Sequence, residues 1–236
     1  MEAPAPVADV DGEKRRAALL SVLASGGLAA AKLLAGVLTG SLGLLSEAAH
    51  SLLDLGATAI TYWAIRVAER PADTRHRYGH AKVESVAALI ATGLLFLTAA
   101  GVVTESVHRL WSGHTAIEVP WWAFVLMLVS IAVDFTRSRS LHEVAQRTSS
   151  AALEADALHF TSDMASSLAV LAGLALVAFG VRAGDALAAL AVAAFIVLAG
   201  YRLGQRTIDA LMDAAPEGAI ERIEAAGKAT EGVLWL

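Results

Sequence analysis

Long apolar blocks separated by short charged clusters set the rhythm of this chain. The clearest block is residues 85–104, about 20 uncharged positions between Glu84 and Glu105, enough as a helix to cross a hydrocarbon layer roughly 30 Å thick. Similar blocks occupy 17–46, interrupted only by Lys32, then 119–133, 164–181 and 186–201. Turn residues and charge clusters divide the sequence into six expected helices, at 17–38, 41–67, 81–110, 119–145, 150–178 and 184–206. The separators are Thr39-Gly40-Ser41, residues 113–120 and residues 180–184. The expected fold is therefore an all-α integral membrane protein, a six-transmembrane-helix bundle over residues 14–210. Residues 1–13 are Ala/Pro-rich and acidic, lack the basic start of a signal peptide, and are expected to form a disordered tail.

Composition strengthens this picture. Of 236 residues, 56% are hydrophobic and 17% charged, with a mean hydropathy of +0.59; an ordinary soluble domain carries more charge. The net charge of −5 says little, because the placement of Lys and Arg decides orientation. Lys14, Arg15 and Arg16 precede the first helix. Arg66, Arg70, Arg75, Arg77 and Lys82 fill the second connection, Arg137, Arg139 and Arg147 mark the fourth, and Arg202 and Arg206 end the sixth helix. The other connections hold only Arg109 and Arg182. Both termini are thus expected on the cytoplasmic side of a multi-pass protein of the cell membrane, in bacteria the inner membrane. The bilayer is the expected environment and no nucleic-acid partner is expected. The chain has no cysteine, so any metal ligands must be nitrogen or oxygen.

Ionisable side chains at membrane depth are costly and point to function. The second helix contains Ser46-Glu47-Ala48-Ala49-His50-Ser51-Leu52-Leu53-Asp54, and the fifth Asp156-Ala157-Leu158-His159-Phe160-Thr161-Ser162-Asp163. In each, His and Asp four apart share one helix face. With seven histidines in the chain, chance gives about 0.3 such pairs; there are two. Both pairs fall in the middle third of their spans, on antiparallel helices. Two imidazoles and two carboxylates suit a tetrahedral Zn²⁺ site, and less selectively Co²⁺ or Fe²⁺. The bland alternative is a pair of intrahelical hydrogen bonds that merely stabilise packing.

These motifs resemble those of the cation diffusion facilitator family, and the likeness covers nearly the whole chain. Ala155-Asp156-Ala157-Leu158-His159-Phe160-Thr161-Ser162-Asp163 is similar to its fifth-helix motif, and the stretch around His50 and Asp54 to its second-helix motif. The connection Pro71-Ala72-Asp73-Thr74-Arg75-His76-Arg77-Tyr78-Gly79-His80-Ala81-Lys82-Val83-Glu84-Ser85 is close to the loop of its bacterial iron/zinc branch. The resemblance implies a proton-coupled homodimeric antiporter that exports Zn²⁺ from the cytoplasm by alternating access, with His50, Asp54, His159 and Asp163 as transport-site ligands. Fe²⁺, Co²⁺ and Cd²⁺ are the other ions it leaves open. The iron/zinc branch often has Asp where this chain has His50; His there goes with zinc preference and poorer acceptance of cadmium. The resemblance also implies a second metal site at Asp73, His76 and His80, and a charged contact between Lys82 and Asp213 beneath the bundle. Residues 217–236 resemble the first helix and the start of a strand of the family's cytoplasmic α/β domain, so residues 211–236 are expected to be a truncated form of it.

Other polar positions have blander readings. Lys32 is expected to snorkel, and Asp134 and Glu154 to be wet. Asp156, a turn before His159, is a candidate relay at the inner entrance. His108, His114 and His142 are interfacial without a role, and Trp111, Trp121 and Trp122 read as interfacial anchors. A passive divalent-metal channel conflicts with ligands tight enough to coordinate zinc. A membrane metalloenzyme conflicts with four protein ligands, which leave no position for activated water, and with the lack of His-Glu-x-x-His.

Overall fold

The computed structural model describes residues 7–39, 42–112, 121–178, 184–215, 218–228 and 230. Among them are seven helices and no strand: α1 (Val7–Thr39), α2 (Leu42–Ala68), α3 (Lys82–Ser112), α4 (Trp121–Thr148), α5 (Ala151–Ala178), α6 (Gly184–Leu211) and the short α7 (Ala219–Lys228). The break at Gly40 and Ser41, the connection at 113–120 with His114, and the expected strand start near the C-terminus all lie outside the described residues.

Ion pairs gather one end of each long helix into a single layer. Near the start of α1, Glu13 pairs with Arg147 at the end of α4 (2.5 Å), and Lys14 with Glu84 at the start of α3 (3.0 Å). Glu84 also accepts a short hydrogen bond from Ser150, next to α5. Arg206 near the end of α6 pairs with Glu154 at the start of α5 (2.7 Å). The six long helices therefore run alternately up and down. α1 packs mainly on α2, α3 on α6, and α4 on α5, while α5 also touches α6.

Small residues make this packing close. Ala18, Ala64, Ala88, Ala152, Ala155 and Ala193 are fully buried. Gly200 and Gly204 of α6 face α3; a Cβ at Gly200 would sit 3.2 Å from the Phe96 ring, and one at Gly204 3.4 Å from the Thr92 methyl. Many large apolar side chains, such as Leu38, Leu53, Leu97 and Leu198, point outward instead. Such an exterior suits lipid rather than water.

Among the described residues, three segments are long and apolar enough to cross a membrane by length and composition: Val10–Leu34, Lys82–His108 and Ala186–Leu211. They belong to α1, α3 and α6. α2, α4 and α5 are just as long, at 27, 28 and 28 residues, and α2 and α5 are no less apolar on average. Two expectations change. α1 begins at Val7, inside the stretch expected to be a disordered tail, because Glu13 and Lys14 find partners on α4 and α3. Lys32 is buried and donates to Ser51 Oγ (3.0 Å) instead of snorkelling outward, and Asp134 is buried rather than wet.

Candidate metal centre

His50 lies eight residues into α2, and His159 eight residues into α5. At 1.5 Å per residue, each imidazole is about 12 Å along its helix and each aspartate about 18 Å. Because the helices are antiparallel and about 40 Å long, the two faces meet near mid-depth. His159 Nε2 lies 3.3 Å from Asp54 Oδ1, across the helix pair, and 3.6 Å from Asp163 Oδ2 on its own helix. His50 Nε2 lies 3.9 Å from Asp54 Oδ2. The donor atoms of His50, Asp54 and Asp163 all fall within 4.8 Å of one another.

These separations can be compared with what a metal needs. Ligands at about 2.1 Å from a tetrahedral Zn²⁺ stand about 3.4 Å apart. The His159 contacts already have that spacing, and the His50 contact needs only a small side-chain adjustment. Asp54, Asp163 and His159 are largely enclosed, with side chains 16–22% exposed, whereas His50 is 56% exposed. The centre therefore opens on the His50 side.

A polar layer surrounds the centre toward the basic end of the bundle. Asp156 is buried and accepts hydrogen bonds from Ser21 Oγ (3.1 Å) and, more weakly, Thr58 Oγ1 (3.4 Å). Arg137 Nη2 donates to Ser21 O (3.0 Å), Ser21 Oγ (2.9 Å) and Ser25 Oγ (2.6 Å). Ser21 thus bridges a half-buried guanidinium and a buried carboxylate. The Arg137 guanidinium also lies 3.6 Å above the Phe160 ring, and Phe160 tilts against His159 with centroids 5.3 Å apart. Sequence reasoning singled out Asp156 but missed Ser21 and Arg137. The available signal was an arginine a turn beyond Asp134 in an apolar helix.

A second cluster forms in the connection between α2 and α3. Asp73 Oδ1 accepts the backbone N–H of His76 (2.6 Å) and of Arg75 (2.8 Å). These two amides, His76 first, hold the Asp73 carboxyl below the ordinary carboxylate range. Gly79, at φ +82°, takes the left-handed conformation that turns the chain back. That turn brings His80 Nε2 to 3.4 Å from Asp73 Oδ2, with His76 Nδ1 3.3 Å from Asp73 Oδ1. The three residues can each offer a ligand atom, all within 4.8 Å. Below the bundle, Lys82 Nζ lies 2.7 Å from Asp213 Oδ2 and donates to the Leu211 carbonyl (3.0 Å).

Apolar helices around a partly enclosed cluster of imidazoles and carboxylates define a multi-pass membrane protein with a site suited to cations. Residues 18–212 match the family model described as the cation efflux transmembrane domain, and the chain belongs to the cation diffusion facilitator family, whose members are transporters rather than enzymes. It is 33% identical to the cation-efflux pump FieF of Pectobacterium carotovorum over 181 residues, 75% of this chain and 59% of that protein. It is 31% identical to the FieF of Escherichia fergusonii over 200 residues, 85% of this chain and 66% of that protein. It is 32% identical to the magnetosome protein MamB of a Magnetospira strain over 182 residues, 77% of this chain and 62% of that protein. The chain thus matches roughly three fifths to two thirds of the length of these relatives.

Proposed function

We propose that the protein exports Zn²⁺ from the cytoplasm in exchange for protons, by alternating access around His50, Asp54, His159 and Asp163. The observation that carries this reading is the meeting of the two His-x-x-x-Asp faces, with His159 Nε2 at 3.3 and 3.6 Å from the two aspartates. Two neutral nitrogens and two carboxylate oxygens offset both charges of the cation, and their spacing favours a small tetrahedral ion. Fe²⁺, Co²⁺ and Cd²⁺ are its competitors. Proton coupling follows from ligand chemistry: an imidazolium cannot bind metal, so protons and Zn²⁺ compete for His50 and His159. The relatives named as cation-efflux pumps support the direction of transport.

In this reading all six long helices span the membrane and both termini face the cytoplasm, as the Lys and Arg asymmetry favours. Asp73, His76 and His80 then form a second, cytoplasmic metal site, and the Lys82–Asp213 pair ties the foot of α3 to the end of α6. The family resemblance favours a homodimer.

Calorimetry with Zn²⁺, Cd²⁺, Fe²⁺ and Mn²⁺ tests the centre. Asp163→Ala should weaken its zinc binding by more than about a hundredfold, since even outer-shell partners are worth 10–100-fold. Undiminished binding by this variant, with the loop site removed by His76→Ala, would refute the assignment. Zinc uptake into everted vesicles that ignores an imposed pH gradient would leave the site standing and remove the antiport.

A further inference from the structure

A cavity of about 520 Å³ lies between α4, α5 and α6, toward the end where the basic residues gather. Its walls change character along the helix axes. Phe135, Met164 and Ala199 line the deep part, while Arg139, His142, Arg202 and Arg206 ring the mouth. An adjoining space of about 280 Å³ shares Arg206 and Glu154 and extends the mouth to Gln146 and Ser149. Neither space includes a proposed metal ligand.

The arginines are incompletely used. Arg139 Nε donates to Glu143 (3.1 Å), while Arg206 donates through Nη2 to Glu154 (2.7 Å) and through Nε to the Arg202 carbonyl (3.4 Å), so most of the five N–H donors of each guanidinium stay open. Among the described residues, the Arg202 guanidinium and the His142 ring have no side-chain partner. Three arginines against Glu154 in the lining, with Glu143 beside Arg139, leave the mouth net positive, which disfavours a divalent cation. A small soluble anion would satisfy the rim but leave the apolar floor uncovered. A zwitterionic lipid would bring its ammonium against the arginines.

We propose that this groove binds one anionic glycerophospholipid, its phosphate held by Arg202 together with Arg139 and Arg206, and an acyl chain lying along Phe135 and Met164. The pattern matches the general form of acidic-lipid sites, basic pockets between transmembrane helices at the membrane surface. Arginine suits the role because its planar fork takes two phosphate oxygens at once. The polar groups at Gln146 and Ser149 suit the headgroup's hydroxyls. A lipid seated there would brace α6 against α4 and α5, where the helices themselves leave a gap.

The test uses the full chain in a neutral detergent, titrated with phosphatidylglycerol and followed by native mass spectrometry. One saturable lipid per chain is expected, with no comparable binding of phosphatidylcholine. Arg139→Gln with Arg202→Gln should weaken it about 25-fold, from about fivefold per basic residue near a lipid surface. Displacement of the lipid by millimolar inorganic phosphate would reassign the groove as an anion site. Equal phosphatidylcholine affinity, or unchanged phosphatidylglycerol affinity in the double variant, would overturn the proposal outright. Should that variant lose its helical content, the wild type decides: phosphatidylglycerol with a photoreactive acyl chain should label the α4 and α6 peptides containing Phe135 and Ala199. Labelling confined to other helices would count against the groove.

Discussion

His50 differs from the other three proposed ligands in exposure, and this makes it the position where metal choice can be tuned. An imidazole offers one nitrogen at a fixed distance. A carboxylate offers two oxygens and can bind through one or both, which suits a larger ion. His50→Asp is therefore expected to narrow the preference for Zn²⁺ over Cd²⁺ by about tenfold, a change of roughly 1.4 kcal/mol in relative affinity. Calorimetry with the two ions checks it, and an unchanged ratio would show that His50 does not discriminate. Asp73 offers a second expectation, through pH. Its folded pKa lies below the ordinary value because the carboxylate accepts the His76 and Arg75 amides. Its support of the turn is thus fully present above about pH 4 and is lost as pH falls through the lowered value. The amide-proton resonance of His76 in selectively labelled protein should hold its position down to that range and then move; movement at neutral pH would contradict it. Both residues stood out in the sequence because their partners lie three or four positions away. Ser21, Arg137 and Asp156 did not stand out as a unit, because their contacts join residues 116 and 135 positions apart. No local pattern encodes such a meeting.

At the scale of elements, the helices were legible from apolar runs and turn residues, with limits off by a few positions except at the start of α1. There the ion pairs of Glu13 and Lys14 extend the helix, and such pairs depend on which ends assemble. The same dependence governs the Arg137–Ser21–Asp156 clasp, which links α1, α4 and α5, with Thr58 adding α2. Removing one charge of a buried pair leaves the other uncompensated, at a cost of about 3–5 kcal/mol. Arg137→Met should therefore destabilise the protein by at most that amount, because Arg137 is half-buried and meets Asp156 through Ser21, read as thermal unfolding in detergent. Adding Asp156→Leu should recover much of the loss, since apolar replacement of both partners is often near neutral. Strictly additive losses in the two variants would mean that the charges do not act as a pair.

For the whole molecule, the direction in which the bundle sits in the membrane decides what the metal centre accomplishes. The converging ion pairs place the second connection, the start of α1 and the end of α6 at one end, and among the described residues hydropathy singles out α1, α3 and α6 as spans. α2, α4 and α5 are just as long, and α2 and α5 are no less apolar on average. Length and antiparallel packing argue that they cross alongside the others. A chain without cysteine makes this directly measurable. Cysteine placed at Ala72, in the second connection, should resist a membrane-impermeant maleimide in intact cells and react in everted vesicles. Cysteine at Ser112, at the far end of α3, should do the opposite. Reactivity of both positions from the same side would break the six-span arrangement, since α3 would then fail to cross. Exchange of the two patterns would keep the spans but reverse the bundle, placing Asp73, His76 and His80 outside the cell. Export would then be untenable as the reading of the same four ligands.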